Sequence, residues 1–346
     1  MRGLLIVNPR ATTTTGNASE LVVRSLAGLV DLDVEHTRRR GHARELAEAA
    51  DAELVIVLGG DGAINEAVNG LMSKPDGARP LLAVIPGGGG NVLARALGLP
   101  VDTQAAIGRI RDVIAGGRHR TIGLGLAGDR YFTFSAGLGM DAEVVGEVER
   151  LRADGHRESA RLFGWAMLRR YYSGSDRRVP ALTVERDGQP PMPRVFMTIV
   201  TNHSPWTYLR GRPLLPFPDP DFNSGLDLVT LGKLNLTTIF GAVGQMLLVR
   251  SRPPRGRHVL TAAGIDTMTV RSARPVAFQV DGEYLGETEA VKFQFVPHAL
   301  RVVALPARAG RGLFEGRPKR REQNVIDLTW NSPEGSLWPL ALANRR

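Results

Sequence analysis

The sequence contains no cysteine. Disulfides, Cys-ligated zinc or iron–sulfur centres and a thiol nucleophile are therefore excluded. Lysine is scarce: only Lys74, Lys233, Lys292 and Lys319 stand among 44 basic residues. Aromatic residues make up 6% of the chain, too few for a base-stacking series, and no nucleic-acid module is recognisable, so nucleic acid is not an expected partner. No apolar run is long enough to cross a bilayer. The longest uncharged stretch, Leu234–Val249, has 16 residues and includes Asn235, Thr237, Thr238 and Gln245, whereas a spanning helix needs about 20 apolar residues. The run Leu4–Val7 stops at Asn8-Pro9, which reads as a strand rather than a signal peptide. These absences point to a cytoplasmic protein whose contact with membranes is peripheral.

Catalytic signatures are missing too. There is no G-x-x-x-x-G-K-[ST], no H-R-D or D-F-G, no G-x-S-x-G and no H-E-x-x-H. Gly60-x-Gly62 carries Asn65 where a dinucleotide fingerprint needs its third glycine. The seven histidines are scattered and read as structural.

What is present is an ordinary globular composition: 43% hydrophobic and 23% charged in 346 residues. That length exceeds what one compact core usually holds, so two domains are expected. The formal charge of +9 favours anionic partners. Residues 1–120 alternate short apolar runs (Gly3–Val7, Leu32–His36, Leu54–Leu58, Leu81–Ile85) with helical patterns, the mark of a parallel sheet covered on both faces. Residues 121–305 carry closely spaced strand-like runs with Gly/Pro turns, which argue for an antiparallel sandwich. Helical inserts interrupt it at Asp141–Tyr172 and Leu236–Val249. Residues 306–346 begin with a basic, Gly/Pro-punctuated loop and end in an apolar tail with Trp330 and Trp338, expected to pack back on the body.

Two glycine loops follow buried strands in the first half. Gly59-Gly60-Asp61-Gly62 runs into Ala63-Ile64-Asn65-Glu66, and Pro86-Gly87-Gly88-Gly89-Gly90 runs into Asn91, placed to cap the next helix. Backbone free of Cβ atoms lets a phosphate approach main-chain amides, and a helix N-terminus adds positive potential. Asn8-Pro9-Arg10-Ala11-Thr12 and Thr37-Arg38-Arg39-Arg40 leave two further strand ends. In open α/β sheets ligands bind at such ends. Far downstream, Asp281-Gly282-Glu283 has the form of a tight hairpin turn. Beside a nucleotide crevice it is also a candidate carboxylate pair, one acid taking a hydroxyl proton while the other orients it.

The block Gly59–Gly70, with Asn8-Pro9, Thr37…Gly41-His42, Pro86–Asn91 and Asp281-Gly282-Glu283 in order, resembles the diacylglycerol kinase catalytic domain superfamily. That superfamily includes bacterial lipid kinases, sphingosine and ceramide kinases and, more distantly, NAD kinases. The resemblance implies an NAD-kinase-like α/β domain followed by an antiparallel β-sandwich, with the active site in the cleft between them. It implies an ATP-dependent lipid kinase, with diacylglycerol the first-ranked acceptor. An NAD kinase-like enzyme, a sphingoid or ceramide kinase and a non-catalytic nucleotide binder are the alternatives. Gly59, Gly60, Asp61, Gly62, Ala63, Ile64 and Asn65 would cradle the phosphates, with Glu66, Gly88, Gly89 and Asn91 beside them. Asn8, Pro9, Arg10, Ala11, Thr12 and Thr37 would add contacts, and Asp281 and Glu283 would share the acid/base role, either one accepting the proton. Mg²⁺ is expected with ATP, and no residue is assigned to a resident metal. The expected partner is a lipid at the membrane surface, with homodimerisation open. The family usually has Thr where Ala63 and Gly89 stand, and Asp where Val92 stands.

Overall fold

The structure is a computed structural model that describes residues 1–11, 16–156, 159–209, 211–218, 221–249 and 251–305. Thr12 and the 306–346 segment lie outside the described residues. The first half runs β1 (Arg2–Val7), α1 (Gly16–Leu26), β2 (Asp31–His36), α2 (His42–Ala49), β3 (Leu54–Gly59), α3 (Asp61–Met72), β4 (Leu81–Pro86), α4 (Val92–Ala96) and α5 (Thr103–Ala115). The second half begins with β5 (Arg120–Ala127), β6 (Arg130–Phe132), β7 (Ser135–Gly139), α6 (Met140–Ala153) and α7 (Ala160–Ser173). It continues with β8 (Leu182–Arg186), β9 (Met192–Val195), β10 (Met197–Thr201), β11 (Thr207–Leu209), β12 (Arg212–Leu214), β13 (Leu226–Leu231), α8 (Leu236–Leu248), β14 (Val259–Ile265), β15 (Thr267–Val280) and β16 (Glu283–Val302).

The first-half strands pair in parallel in the order β4-β3-β1-β2. Every residue of β3 is buried, as expected for a strand covered by helices on both faces. Each Val, Leu or Ile so buried contributes about 1.5–3 kcal/mol. The register sets the strand ends flush: Val7 lies opposite His36 and Leu58, and Gly59 opposite Pro86. Asn8, Thr37, Gly60 and Gly87 therefore leave the sheet along one edge.

The second half is antiparallel and its strands continue the same sheet. Two long strands branch it. β15 pairs with β8 through Met268–Ser272 and with β7 through Phe278–Val280, and a bulge between Arg271 and Val276 separates the two stretches. β16 pairs with β5, then reaches β4 at Val302. The branches enclose a core that includes Phe132, Val184, Val200, Leu228, Val270 and Phe293. The end of β16 crosses over: Leu300 and Val302, with Val303 just after the strand, belong to the core of the first half. The sequence reads Thr267–Arg271 and Val276–Val280 as two strands, but the bulge lets one strand carry both. β14 and the β11–β12 hairpin carry no pattern that announces them. Among the described residues, no helix is long and apolar enough to cross a membrane.

Candidate active site

The two glycine loops touch. A Cβ built on Gly88 would stand 2.7 Å from the Gly60 Cα, so no side chain fits where the loops cross. Gly87 N donates to Gly59 O at 2.8 Å, and Asn8 N donates to Leu58 O at 3.0 Å. Gly59 leaves 3.3 Å between its hypothetical Cβ and the Asn8 Cβ. Packing thus accounts for these glycines. It does not account for Gly62, whose Cβ would meet nothing within 4 Å. Gly62 lies in the first turn of α3, where a helix leaves amide donors without intrahelical partners. The N-cap, Gly60, supplies no side-chain cap.

The cap expected of Asn91 is supplied by Asp61. Asn91 does not cap α4. It adopts φ 50° and clasps Gly88, accepting from Gly88 N at 2.9 Å and donating to Gly88 O at 2.6 Å. Asp61 supplies the cap instead, its Oδ1 accepting from Val92 N at 2.7 Å. A carboxylate at that helix start is favourable for charge as well as hydrogen bonding. The loops are therefore bound together by their own polar side chains.

Other predicted residues support this edge. Asn8 Oδ1 accepts from Arg10 N at 3.0 Å, Ala11 N donates to Asn8 O at 3.2 Å, and Pro9 is exposed between them. Thr37 N donates to Val7 O at 2.8 Å, which puts Thr37 beside Asn8. Glu66 holds the start of α2, accepting from Gly41 N at 2.8 Å and Ala43 N at 3.2 Å. Ala63 and Ile64 are buried under the helix, while Gly89 is exposed at the tip of its loop.

The acidic turn joins this edge through Asn65. Asp281 and Gly282 are the two central residues of the β15–β16 hairpin, with φ 47° and 76°, and Val280 pairs with Glu283 across it. Both positive angles mark a type I′ turn, which Asp-Gly favours. Asp281 is 4% exposed. Its carboxylate accepts from Asn65 Nδ2 at 2.7 Å, Thr133 N at 2.7 Å, Thr133 Oγ1 at 2.8 Å, and Phe134 N and Ser135 N at 3.0 Å each. Burial pushes its pKa up, against the pull of these hydrogen bonds. Donors surround both oxygens, an arrangement that suits the ionised form. With its acceptor capacity taken up inside the protein, Asp281 orients the turn, and the two acids are not interchangeable.

Glu283 sits differently. Its side chain is 13% exposed, and each oxygen meets an arginine: Arg40 on Oε1 and Arg130 on Oε2. Arg130 also donates to Asn65 Oδ1, from Nη2 at 2.8 Å and Nε at 3.1 Å. Asn65 thus binds Asp281 directly and Glu283 through one guanidinium. The main chain of the turn is pinned as well. Gly282 N donates to Gln279 Oε1 at 3.0 Å, and Tyr284 N donates to Glu149 Oε1 at 2.9 Å. Gln279 Nε2 in turn reaches Asp141 Oδ2 at 2.8 Å. Burial pushes the Asp141 pKa up to about 6, against that hydrogen bond. Beside Tyr284, a cavity of about 360 Å³ is lined by Met140, Glu143, Arg170, Phe196, Leu234 and Tyr284 among others.

Arg130, Thr133, Gln279 and Asp141 were not foreseen from the sequence. Arg40 lies in the stretch Thr37–Arg40, which the sequence marks as a strand end without giving Arg40 a role. Among the described residues, no group of three acidic or histidine side chains forms a metal site. The main-chain amide donors at the start of α3 suit an anion.

Residues 2–126 match the diacylglycerol kinase catalytic domain. The diacylglycerol kinase of Bacillus subtilis (strain 168) is 31% identical over 251 residues, covering 71% of this chain and 76% of that protein. The enzyme of Staphylococcus carnosus (strain TM300) is 31% identical over 252 residues, covering 69% and 73%. The crystal structure of a putative diacylglycerol kinase from Bacillus anthracis str. Sterne superimposes with a TM-score of 0.68 at 23% identity, covering 88% of this chain and 98% of that one. The fold is thus the two-domain, NAD-kinase-like arrangement of mixed parallel and antiparallel sheet with helices. Shared sequence across most of both proteins, together with this fold and the meeting of the glycine loops with the acidic turn, makes the chain a member of the diacylglycerol kinase family, lipid kinases that transfer a phosphoryl group to an alcohol.

Proposed function

We propose that the protein transfers the γ-phosphoryl group of ATP to the hydroxyl of diacylglycerol, giving phosphatidic acid and ADP. The observation that carries this reading is the bridge Asn65–Asp281 and Asn65–Arg130–Glu283. It ties the helix after the first glycine loop to the acidic turn of the second half. In this reading residues 1–120 form the nucleotide unit and residues 121–305 the acceptor unit, with the end of β16 returned to the first core.

The phosphates lie over the first turn of α3, where Gly62 leaves the approach open, and along the second loop from Gly88 to Gly90. Asn8, Arg10 and Thr37 flank the nucleotide. Mg²⁺ arriving with ATP neutralises charge on the phosphate oxygens. Glu283 takes the proton of the acceptor hydroxyl. The hydroxyl oxygen bonds to the γ-phosphorus as the bridging P–O bond to ADP breaks. Arg40 and Arg130 hold the Glu283 carboxylate, while Asn65, Asp281 and Gln279 fix the turn. Phosphoryl transfer has a loose transition state, so this positioning is the main contribution expected of the protein. The cavity beside Tyr284 supports an acceptor approaching from the side of α6 and α7.

The test is an acceptor screen with purified protein, Mg²⁺ and γ-labelled ATP. Diacylglycerol, ceramide, sphingosine and NAD are offered separately, the lipids in mixed micelles. Label in phosphatidic acid is expected. Label in another lipid moves the assignment within lipid kinases, and label in NADP alone removes the lipid acceptor.

A further inference from the structure

The lysines stand away from the glycine loops. Lys74 follows the far end of α3, Lys233 and Lys292 lie in the second half, and Lys319 lies outside the described residues. α3 has 12 residues, about 18 Å at the helical rise, and that length separates Lys74 from the first turn. Phosphoryl transfer nevertheless calls for positive charge at the transferred group. A permanently charged side chain there must then be an arginine, and two arginines meet the Glu283 carboxylate.

The two differ in what else holds them. Arg130 contacts Oε2 through Nη2 alone, and its Nη2 and Nε also donate to Asn65 Oδ1 at 2.8 and 3.1 Å. Its side chain is 23% exposed. Arg40 brings both Nε, at 2.6 Å, and Nη2 to Oε1. Its remaining contacts are long, Nη2 to Tyr284 O at 3.5 Å and Nη1 to Glu149 Oε2 at 3.7 Å, and its side chain is 59% exposed. Ion pairs so open to water are weak. Arg130 is thus fixed in the Asn65 bridge, and Arg40 is the arginine able to change partner.

Oε1 is where two demands meet. A carboxylate oxygen accepts about two hydrogen bonds, and Arg40 supplies two. A hydroxyl that gives its proton to Oε1 needs one of those places. Arg40 also comes from the nucleotide side. It follows β2 in the stretch that starts at Thr37, beside Asn8, and precedes Gly41, whose N is bound by Glu66 of α3. Gly62, Asn65 and Glu66 share one face of that helix. The open approach at Gly62 therefore lies one turn, about 5 Å, from residues tied to Arg40 and Glu283.

We propose that Arg40 is the side-chain cation of the transferred phosphoryl group, and that its move from Glu283 Oε1 to the γ-phosphate oxygens of ATP opens Oε1 to the acceptor proton. The proton passes from the hydroxyl to Oε1, the hydroxyl oxygen bonds to the γ-phosphorus, and the bond to ADP breaks with its electron pair staying on ADP. Arg130 keeps Oε2 and the bridge to Asn65. The base is thereby uncovered when a triphosphate is in place. This deepens the proposed kinase reading and rests on it for the acceptor, while the γ-phosphate contact is measurable without turnover.

The test is calorimetric titration of the intact chain with the magnesium complexes of ADP and of the β,γ-imido analogue of ATP. The parent, Arg40→Gln, Arg40→Lys and Arg39→Gln proteins are compared. Arg39 pairs with Glu45 on the surface and carries the same charge one residue away. Arg40→Gln is expected to lose about tenfold or more in affinity for the triphosphate and to stay within about twofold of the parent for ADP. Arg40→Lys, a point charge without the planar fork, should recover part of the loss. Arg39→Gln should keep the parent's ratio of the two affinities. Turnover of diacylglycerol in micelles should fall about a hundredfold or more in Arg40→Gln, with thermal unfolding like that of the parent. An unchanged affinity ratio in Arg40→Gln overturns the proposal, as does an equal drop in Arg39→Gln, which makes the effect one of overall charge. If Arg40→Gln does not fold, Arg40→Lys decides: a ratio below the parent's supports the assignment and an unchanged ratio overturns it. Absence of labelled lipid from the parent, with its triphosphate preference intact and lost in Arg40→Gln, counts against the diacylglycerol acceptor and leaves the Arg40 contact standing.

Discussion

Asn65 Nδ2 lies 2.7 Å from Asp281 Oδ2, a buried hydrogen bond between residues 216 positions apart. It joins the first helix after a glycine loop to the hairpin turn that carries Glu283. Asn65 stands one turn beyond Asp61, which binds the second glycine loop through Val92 N. One helix, α3, therefore organises both loops and the acidic turn.

This bond makes Asp281 a structural carboxylate. Asp281→Asn replaces an acceptor oxygen by an NH₂ group facing the amides of Thr133, Phe134 and Ser135 or the Asn65 amide. We expect the variant to be destabilised by about 2–4 kcal/mol, measured by chemical unfolding followed by circular dichroism. The cost comes from the five donors around this one buried carboxylate.

The glycines separate into two kinds. Gly88→Ala drives a Cβ to 2.7 Å from the Gly60 Cα, and we expect a loss of about 1–3 kcal/mol of stability together with weakened nucleotide binding. Gly62→Ala adds a Cβ where nothing lies within 4 Å, so stability should hold or rise by a few tenths of a kcal/mol to about 1 kcal/mol. Its affinity for MgATP should nevertheless fall about tenfold or more, because the methyl group would stand on the phosphate approach proposed above. Calorimetric titration and thermal melts of both variants check the contrast. A Gly62→Ala protein that binds MgATP like the parent removes the phosphates from this turn.

Asp141 gives a pH signature. Its folded-state pKa is pushed up to about 6 by burial, against about 3.9 in an unfolded chain. The native protein then holds a proton that the unfolded chain releases between these values. Stability from this group declines as pH rises through that window, and the penalty is complete above about pH 6. Asp141→Asn should raise the unfolding free energy by about 1–3 kcal/mol near pH 7.5 and by little near pH 4. Melts of both proteins across pH read the difference. A gain independent of pH contradicts a buried, titrating carboxyl.

The order of elements in the first half was legible because fully buried parallel strands are nearly uninterrupted apolar runs, as in Leu54–Gly59. The glycine loops and the Asp281-Gly282 turn were legible because only a few residue types suit such backbones. The partners of the turn were not. Arg130, Thr133 and Asp141 reach it only through pairing of β15 with β7 and β16 with β5, contacts that no local pattern encodes. Asn91 read as a helix cap because of its position, yet its left-handed backbone turned the side chain onto Gly88 and left the cap to Asp61, thirty residues away.

A single comparison separates the roles of the two acids. The parent and Glu283→Gln proteins are each mixed with γ-labelled ATP, Mg²⁺ and diacylglycerol in mixed micelles, and label in phosphatidic acid is followed in a single turnover. With the parent fold and MgATP affinity retained in Glu283→Gln, we expect rapid labelling by the parent and a rate lower by about a hundredfold or more in the variant. Equal rates would remove Glu283 as the base, and no labelled lipid from the parent would remove diacylglycerol as the acceptor.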